Sequence, residues 1–483
     1  MSGNNKSAYP FYIITGALVC LVALSQFDNI VFYAGFKTRS LDMLADLRPD
    51  SLRKQQDEDT PVDSSMIPQI PDEGDSTETA AEQVADSTLA TALADVPDPD
   101  NHLDFTDYKG IISYNLPPTA DTAAAGLQHF LDALAQLKQG KRKKVRIAYF
   151  GDSMIEGDLL TEDLRDSLQK AFGGSGVGFV PITSVVAGFR TTITHTFSKD
   201  WKDYSYKQQP PANIKLGISG HTFVPGSNSY VRYTPVHKKR LDKFERVTLF
   251  YGPAGDANIT INDKAYTLKE QNTLNRFVWS QDPAQNNVTI RWAGGTTTPF
   301  YGVSFEGDSG VYVDNFSFRG ISGIELGKLS KSLVQEMQSE HPYDLVILQY
   351  GANILFKPKL TDYSWYARPM KKVIDSLRKE MPGTSFLVVS TADKSYKNGG
   401  DWVTAPGVMA LLKEQHELAK QHGTAYWNLY AAMGGEGTMA KWVDGDQVLA
   451  QKDHTHFNRQ GAAKVAALLY KAMMDEFKQV EIQ

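Results

Sequence analysis

The chain has 483 residues, 41% of them hydrophobic, with a formal net charge of −6 and a sequence pI near 6.0. That is enough apolar material for the cores of two or three domains, and the acidic balance excludes the basic footprint of a nucleic-acid binder. The lone cysteine, Cys20, excludes an intrachain disulfide framework, so cysteine usage does not report the compartment.

Ala8 to Phe36 is apolar apart from a few residues such as Gln26, Asp28 and Asn29. It exceeds the roughly 20 residues that cross a bilayer, and a membrane anchor over 8–36 is expected. A cleaved signal peptide competes with it: Ala23-Leu24-Ser25 offers small residues at a cleavage position, but only Lys6 supplies a positive n-region. Val19 before Cys20 is larger than a lipid-modification site prefers, so Cys20 reads as an apolar residue of the anchor. Lys6 on one side and Lys37 and Arg39 on the other leave the orientation open. From 37 to 101, and most clearly from Pro49 to Asn101, acidic residues outnumber Arg53 and Lys54 amid Pro, Ser, Thr and Ala. Such a stretch buries too little apolar surface to offset its chain entropy and reads as a disordered acidic linker.

Gly126 to Lys138 has apolar residues at helical spacing. The basic run Lys141 to Lys144 reads as a solvated turn, with a polyanion contact as the alternative. Val145 to Phe150 is a β-branched and aromatic strand pattern that stops at Gly151 and passes through Asp152 and Ser153 into the helical pattern of Leu159 to Phe172. Gly173 to Gly178 lacks the Lys-Ser/Thr ending of a phosphate loop and is expected to be a mobile loop. Short alternating runs follow at Tyr230 to Tyr233, Arg246 to Tyr251, Ala257 to Ile261, Asn287 to Trp292, Tyr301 to Phe305 and Val311 to Phe318. They predict a β-sandwich over 191–318. Within it, Gly307 to Ser309 matches the nucleophile tripeptide of trypsin-like proteases, but its position between two strand patterns predicts a hairpin turn. From Ile324 the pattern returns to α/β: a helix to Glu340, a strand Leu345 to Tyr350, a helix over Pro369 to Glu380, a strand Ser385 to Ser390, a helix Pro406 to His422, a strand Thr424 to Asn428 and a last helix from Arg459. With Val145 to Phe150 this predicts at least four parallel strands with helices on both faces.

Ser153 is the candidate nucleophile, since it sits at the carboxyl end of a strand and beside a helix N-terminus. A serine hydroxyl needs a base and an orienting carboxylate. Asp453 and His456 supply both, because a spacing of three lets one short turn aim the carboxylate at one imidazole nitrogen while the other faces the serine. Asp453, His454 and His456 also have the residue types of a metal site, yet no further His or Cys cluster closes the set, and no metal or cofactor is expected. Asp152 reads as fixing the turn. The loop from Thr391 to Val408 carries Asp393, Lys394, Tyr396 and Trp402; Trp402 is a candidate sugar-stacking residue and equally a packing plug.

At these residues the chain resembles the SGNH hydrolases, the GDSL-type esterases and lipases. Gly151, Asp152, Ser153 and Gly157 match the family's first block, and Asp453 and His456 its last. Gly323 matches the second-block glycine, and Asn353, in Gly351-Ala352-Asn353, the asparagine of the third. Met154 replaces the usual leucine after the serine, and Ile354 replaces the acidic residue that often follows the asparagine, which leaves open what supports the Asn353 loop. The resemblance implies a three-layer α/β/α fold with a parallel sheet, divided into 102–190 and 319–483 by the inserted sandwich. It also implies an oxyanion hole formed by the Ser153 N–H, the Gly323 N–H and the Asn353 amide.

The separation of 170 positions from Ser153 to Gly323 makes the arrangement similar to bacterial envelope esterases of the peptidoglycan O-acetylesterase type, with their inserted carbohydrate-binding-like sandwich. That similarity implies an acetylated envelope polysaccharide as substrate, and an anchored protein whose catalytic domain lies outside the cytoplasm, on the periplasmic or cell-surface side. The same triad also serves an O-acetyltransferase, and a non-catalytic glycan-binding protein is the reading from a different class.

Overall fold

The computed structural model describes residues 31–32, 36–37, 104–114, 126–208, 210–282, 286–292 and 297–482. The chain divides into two units, 1–67 and 68–483. In the first, Val31–Phe32 pairs antiparallel with Phe36–Lys37. This end of the expected anchor is thus extended, in keeping with its β-branched and aromatic residues. The rest of the anchor, and the linker apart from Lys37, lie outside the described residues. Among those described, no helix is long and apolar enough to cross a membrane.

The second unit holds a six-stranded sheet in the order Gly310–Ser317, Lys144–Gly151, Leu345–Gln349, Ser385–Val389, Ala425–Trp427, Ile111–Ser113. The first five strands are parallel and Ile111–Ser113 is antiparallel to its neighbour. Leu345–Gln349 and Ser385–Val389 are buried along their whole length, as expected for parallel strands covered on both faces. On one face Val145, Ile147, Ile347 and Leu387 pack with Phe130, Leu134, Leu164, Leu168, Val465 and Leu469 of the helices Gln128–Lys138, Thr161–Phe172 and Arg459–Ile482. The helices Lys331–Glu340, Ser364–Glu380 and Gly407–Gln421 pack against one another and supply the remaining layer. The three-layer α/β/α architecture is therefore present.

Two antiparallel sheets form the sandwich. One runs Asn275–Ser280, Arg246–Tyr251, Phe300–Glu306, His221–Val224, Lys202–Ser205, with Gly178–Val180 also pairing to Phe300–Glu306. The other runs Lys264–Leu268, Ala257–Ile261, Val288–Trp292, Tyr230–Thr234, Thr194–Phe197. Their facing side chains, among them Val231, Tyr233, Leu249, Ile259, Ile290 and Val303, make a second core.

Four expectations are corrected. Val311 to Phe318 is not a sandwich strand: Gly310–Ser317 pairs in parallel with Lys144–Gly151 as an edge of the hydrolase sheet, so the sandwich ends before Gly310 and not at 318. Its polar members misled the pattern, because Asp314 and Asn315 are satisfied inside the protein. Asp314 Oδ1 accepts from the Phe179 N–H at 2.8 Å, and Asn315 Nδ2 donates to the Ile155 carbonyl at 2.7 Å. Gly307 to Ser309 is accordingly the crossing from sandwich to hydrolase, not a hairpin turn. Gly173 to Gly178 is packed rather than mobile: the Gly176 N–H donates to the Arg240 carbonyl at 2.7 Å, and Gly178–Val180 already belongs to the sandwich, ahead of the expected boundary at 191.

Candidate active site

The Lys144–Gly151 strand delivers the chain to Asp152, whose backbone is extended and whose Oδ1 accepts from the Met154 N–H at 2.9 Å. That cap starts a short 3₁₀ helix, Ser153–Asp158, and puts the half-buried Ser153 at its first position. The regular helix expected from Leu159 begins at Thr161. Gly157 leaves the 3₁₀ turn at φ 65°, in the left-handed region that favours glycine. Burial pushes the Asp152 carboxyl up to about 6, against the Met154 N–H and His456, which hold it down.

Ser153, Asp453 and His456 come together as the sequence predicts. Ser153 Oγ lies 2.8 Å from His456 Nε2, and His456 Nδ1 lies 2.6 Å from Asp453 Oδ2. An ionised carboxylate only accepts, so Nδ1 carries the proton and Nε2 is left to accept from the serine hydroxyl. The backbone N–H groups of Thr455 and His456 both donate to Asp453 Oδ1 at 3.0 Å, which fixes the carboxylate within its own turn. Partial burial raises the Asp453 carboxyl, but the hydrogen bonds from His456 and Thr455 outweigh it and bring it down to about 2. Asp453 is thus ionised at neutral pH.

The loops expected to form the oxyanion hole follow the ends of the two strands that flank Lys144–Gly151: Gly323 comes after Gly310–Ser317, and Asn353 after Leu345–Gln349, whose Gln349 is in register with Gly151. Asn353 Nδ2 donates to the Ile321 carbonyl at 3.0 Å, tying the two loops together. Gly323 has φ 98°, and a Cβ there would lie 2.7 Å from the Tyr350 ring. The Asn353 loop, which lacks an acidic residue after the asparagine, is held from outside. Gln415 Nε2 donates to the Tyr350 carbonyl at 2.7 Å, and Lys394 Nζ to the Ala352 carbonyl at 3.1 Å. Arg319, ahead of Gly323, donates through Nε to Glu156 Oε2 at 2.9 Å, linking the second block to the first. Asp152, Met154, Gly351, Ala352, Lys394 and Thr455 line one cleft.

Trp402 lies on the hairpin of Ser395–Asn398 and Asp401–Thr404. Its ring stacks on His454 with centroids 3.5 Å apart and planes 15° from parallel. One face is therefore occupied by the triad loop, and His454 holds φ 54° there. Asp453 and His456 are engaged with each other and with Ser153, and among the described residues no group of three or more His, Cys, Asp or Glu side chains is arranged to hold a metal ion. The bonds made by Lys394, Gln415 and Arg319, and the Trp402–His454 stack, carry no sequence signal. They depend on which loops the sheet order brings together.

No protein-family model matches the chain, and a search of curated proteins finds no match. Among solved structures, that of a peptidoglycan O-acetylesterase aligns with a TM-score of 0.63 at 21% identity, over 76% of this chain and 99% of that one. A family two carbohydrate esterase from Cellvibrio japonicus (TM-score 0.26, 11% identity, 60% of this chain and 99% of that one) and a lipase/acylhydrolase from Enterococcus faecalis (0.24, 16%, 35% and 78%) superpose too loosely to add to the comparison. The first likeness is one of fold. With the first three sequence blocks following the ends of three neighbouring strands and the last meeting the first at Ser153, the chain shares the fold of that solved structure and resembles the SGNH, or GDSL-type, hydrolases.

Proposed function

We propose that the chain is a serine esterase that removes O-acetyl groups from a cell-envelope polysaccharide of the peptidoglycan kind. The observation that carries this reading is the continuous hydrogen-bonded line from Ser153 Oγ through the His456 ring to Asp453. In the proposed cycle, Ser153 Oγ attacks the ester carbonyl carbon while His456 Nε2 takes the hydroxyl proton, and Asp453 stabilises the imidazolium. The carbonyl oxygen becomes an oxyanion, bound by the Ser153 and Gly323 N–H groups and the Asn353 amide. Collapse breaks the bond to the sugar oxygen, which leaves with the proton from His456. Water, deprotonated by the same nitrogen, then attacks the acetyl-serine; the bond from the carbonyl carbon to Ser153 Oγ breaks, Oγ takes the proton back from His456, and acetate is released. No cofactor enters the cycle.

The substrate class rests on the likeness to a peptidoglycan O-acetylesterase together with the sandwich inserted between the first two blocks. The apolar stretch 8–36 and the acidic segment behind it support the further reading that the protein is tethered to a membrane with its catalytic domain outside the cytoplasm. The test is acetate release from an O-acetylated cell-wall polymer by the protein and by its Ser153→Ala variant. Release by the first alone supports the esterase. No release by either, with the polymer still retained, overturns it for this substrate and favours acyl transfer to an added acceptor, or glycan binding.

A further inference from the structure

Lys394 and Ser395 are consecutive residues that touch both halves of the site. Lys394 Nζ donates to the Ala352 carbonyl at 3.1 Å, and the next residue, Asn353, donates its amide to the Ile321 carbonyl at 3.0 Å, two positions before Gly323. The Ser395 N–H donates at 3.1 Å to the carbonyl of His454, between Asp453 and His456. The oxyanion loops and the base loop are thus referenced to one dipeptide, at the start of the hairpin whose Trp402 stacks on His454.

The choice of a lysine here needs a reason. A neutral donor satisfies a carbonyl as well, whereas a largely buried ammonium costs several kcal/mol of desolvation unless a carboxylate pairs with it. Among the described residues no carboxylate makes a direct ion pair with Lys394; Asp453 and Asp152 act on it from farther off. Burial works against the charge, and those two carboxylates work for it. Lys394 lines the same cleft as Asp152, Gly351, Ala352 and Thr455, on the side of the site where the Asn353 loop lies.

We infer that Lys394 is a positioning residue for the proposed ester hydrolysis: its ammonium pins the Ala352 carbonyl, so that the Asn353 amide is held for the oxyanion, and it adds a fixed positive field there. The inference rests on the esterase reading of the preceding subsection. Preorganised donors aimed at developing charge act in just this way, and losing the placement of one costs up to about 100-fold in rate.

The experiment measures hydrolysis of p-nitrophenyl acetate by the full chain, with kcat expressed per serine titrated by a fluorophosphonate, so that misfolded molecules drop out. Lys394→Met is expected to lower kcat and the fluorophosphonate labelling rate together, by about 30- to 100-fold, with KM changed less than about threefold. Lys394→Arg, which keeps charge and donor, recovers part of the loss. Lys394→Gln, which keeps a donor without the charge, falls between the two and replaces the methionine variant should that one fail to fold. A merely structural lysine changes the titratable fraction and leaves kcat per titrated serine at the wild-type value, which overturns the inference while the esterase reading stands. A rise in KM at constant kcat also overturns it, since Lys394 would then act on substrate binding. A wild-type protein that neither hydrolyses the ester nor takes up the fluorophosphonate overturns both readings at once.

Discussion

Ser153 Oγ and His456 Nε2 lie 2.8 Å apart although 303 residues separate them in the chain. The whole sandwich and four of the five parallel strands intervene, so this contact forms only when the three-layer sheet is complete. In the proposed cycle the pair acts as one unit, since neither group would activate an ester alone. Ser153→Ala and His456→Ala are each expected to lower kcat for an acetyl ester by on the order of 10⁴-fold or more, and the double variant by little beyond either single one. Steady-state kinetics on the three proteins checks this. Multiplicative losses would show that the two side chains act independently.

Asn353 presents its amide beside Gly323 through its bond to the Ile321 carbonyl. In the proposed cycle, Asn353→Ala removes a donor needed in the transition state and not in the ground state. It is expected to lower kcat by about 100- to 1,000-fold while KM changes little. A KM effect without a kcat effect would mean that the amide binds substrate instead.

Gly323 combines φ 98° with a Tyr350 ring 2.7 Å from where a Cβ would stand. Gly323→Ala is expected to destabilise the fold by about 1–3 kcal/mol and to displace the N–H proposed to bind the oxyanion, so that kcat falls as well. Urea unfolding and kcat on the same preparation test the two effects. A variant of unchanged stability would show that the loop relaxes without strain.

Triad spacing is a local property, which is why Asp453 and His456 are legible three residues apart and Ser153 at a strand end. The strand Gly310–Ser317 was harder. A run with Asp314 and Asn315 in its middle fits an alternating sandwich strand as well as a buried parallel one, and only the bonds from Phe179 and to Ile155 decide it. Short polar edges such as Lys202–Ser205 and Lys264–Leu268 leave hardly any apolar alternation to read. The supports of the site are less visible still. Glu156 and Arg319, or Lys394 and Ala352, meet because of strand order, and nothing in their spacing announces it.

Trp402 is the residue whose role the stack on His454 narrows. If it acts by holding the triad loop, Trp402→Ala lowers kcat by about tenfold on a small acetyl ester and on acetylated polymer alike. If its remaining surface binds a sugar, KM for the polymer rises and the small ester is unaffected. The first outcome is expected, because His454 keeps φ 54° beside Asp453 while one ring face is already covered.

Asp152 makes a prediction about stability. Its carboxyl is pushed up to about 6 by burial, above the usual carboxylate range. Below pH 4 it is protonated in both folded and unfolded chains and contributes no difference. Between about pH 4 and 6 the unfolded chain gives up the proton first, so the folded state binds more protons and its stability falls as pH rises. Above that window the cost levels off at on the order of 3 kcal/mol. Asp152→Asn keeps an oxygen to accept from the Met154 N–H and removes the titration. The difference in unfolding free energy between variant and wild type should therefore shift in favour of the variant from pH 4 to 6 and stay constant from 7 to 8. Urea unfolding across this range reads it directly, and a difference independent of pH would mean that the carboxyl titrates in the ordinary range because water reaches it in the cleft beside Ser153.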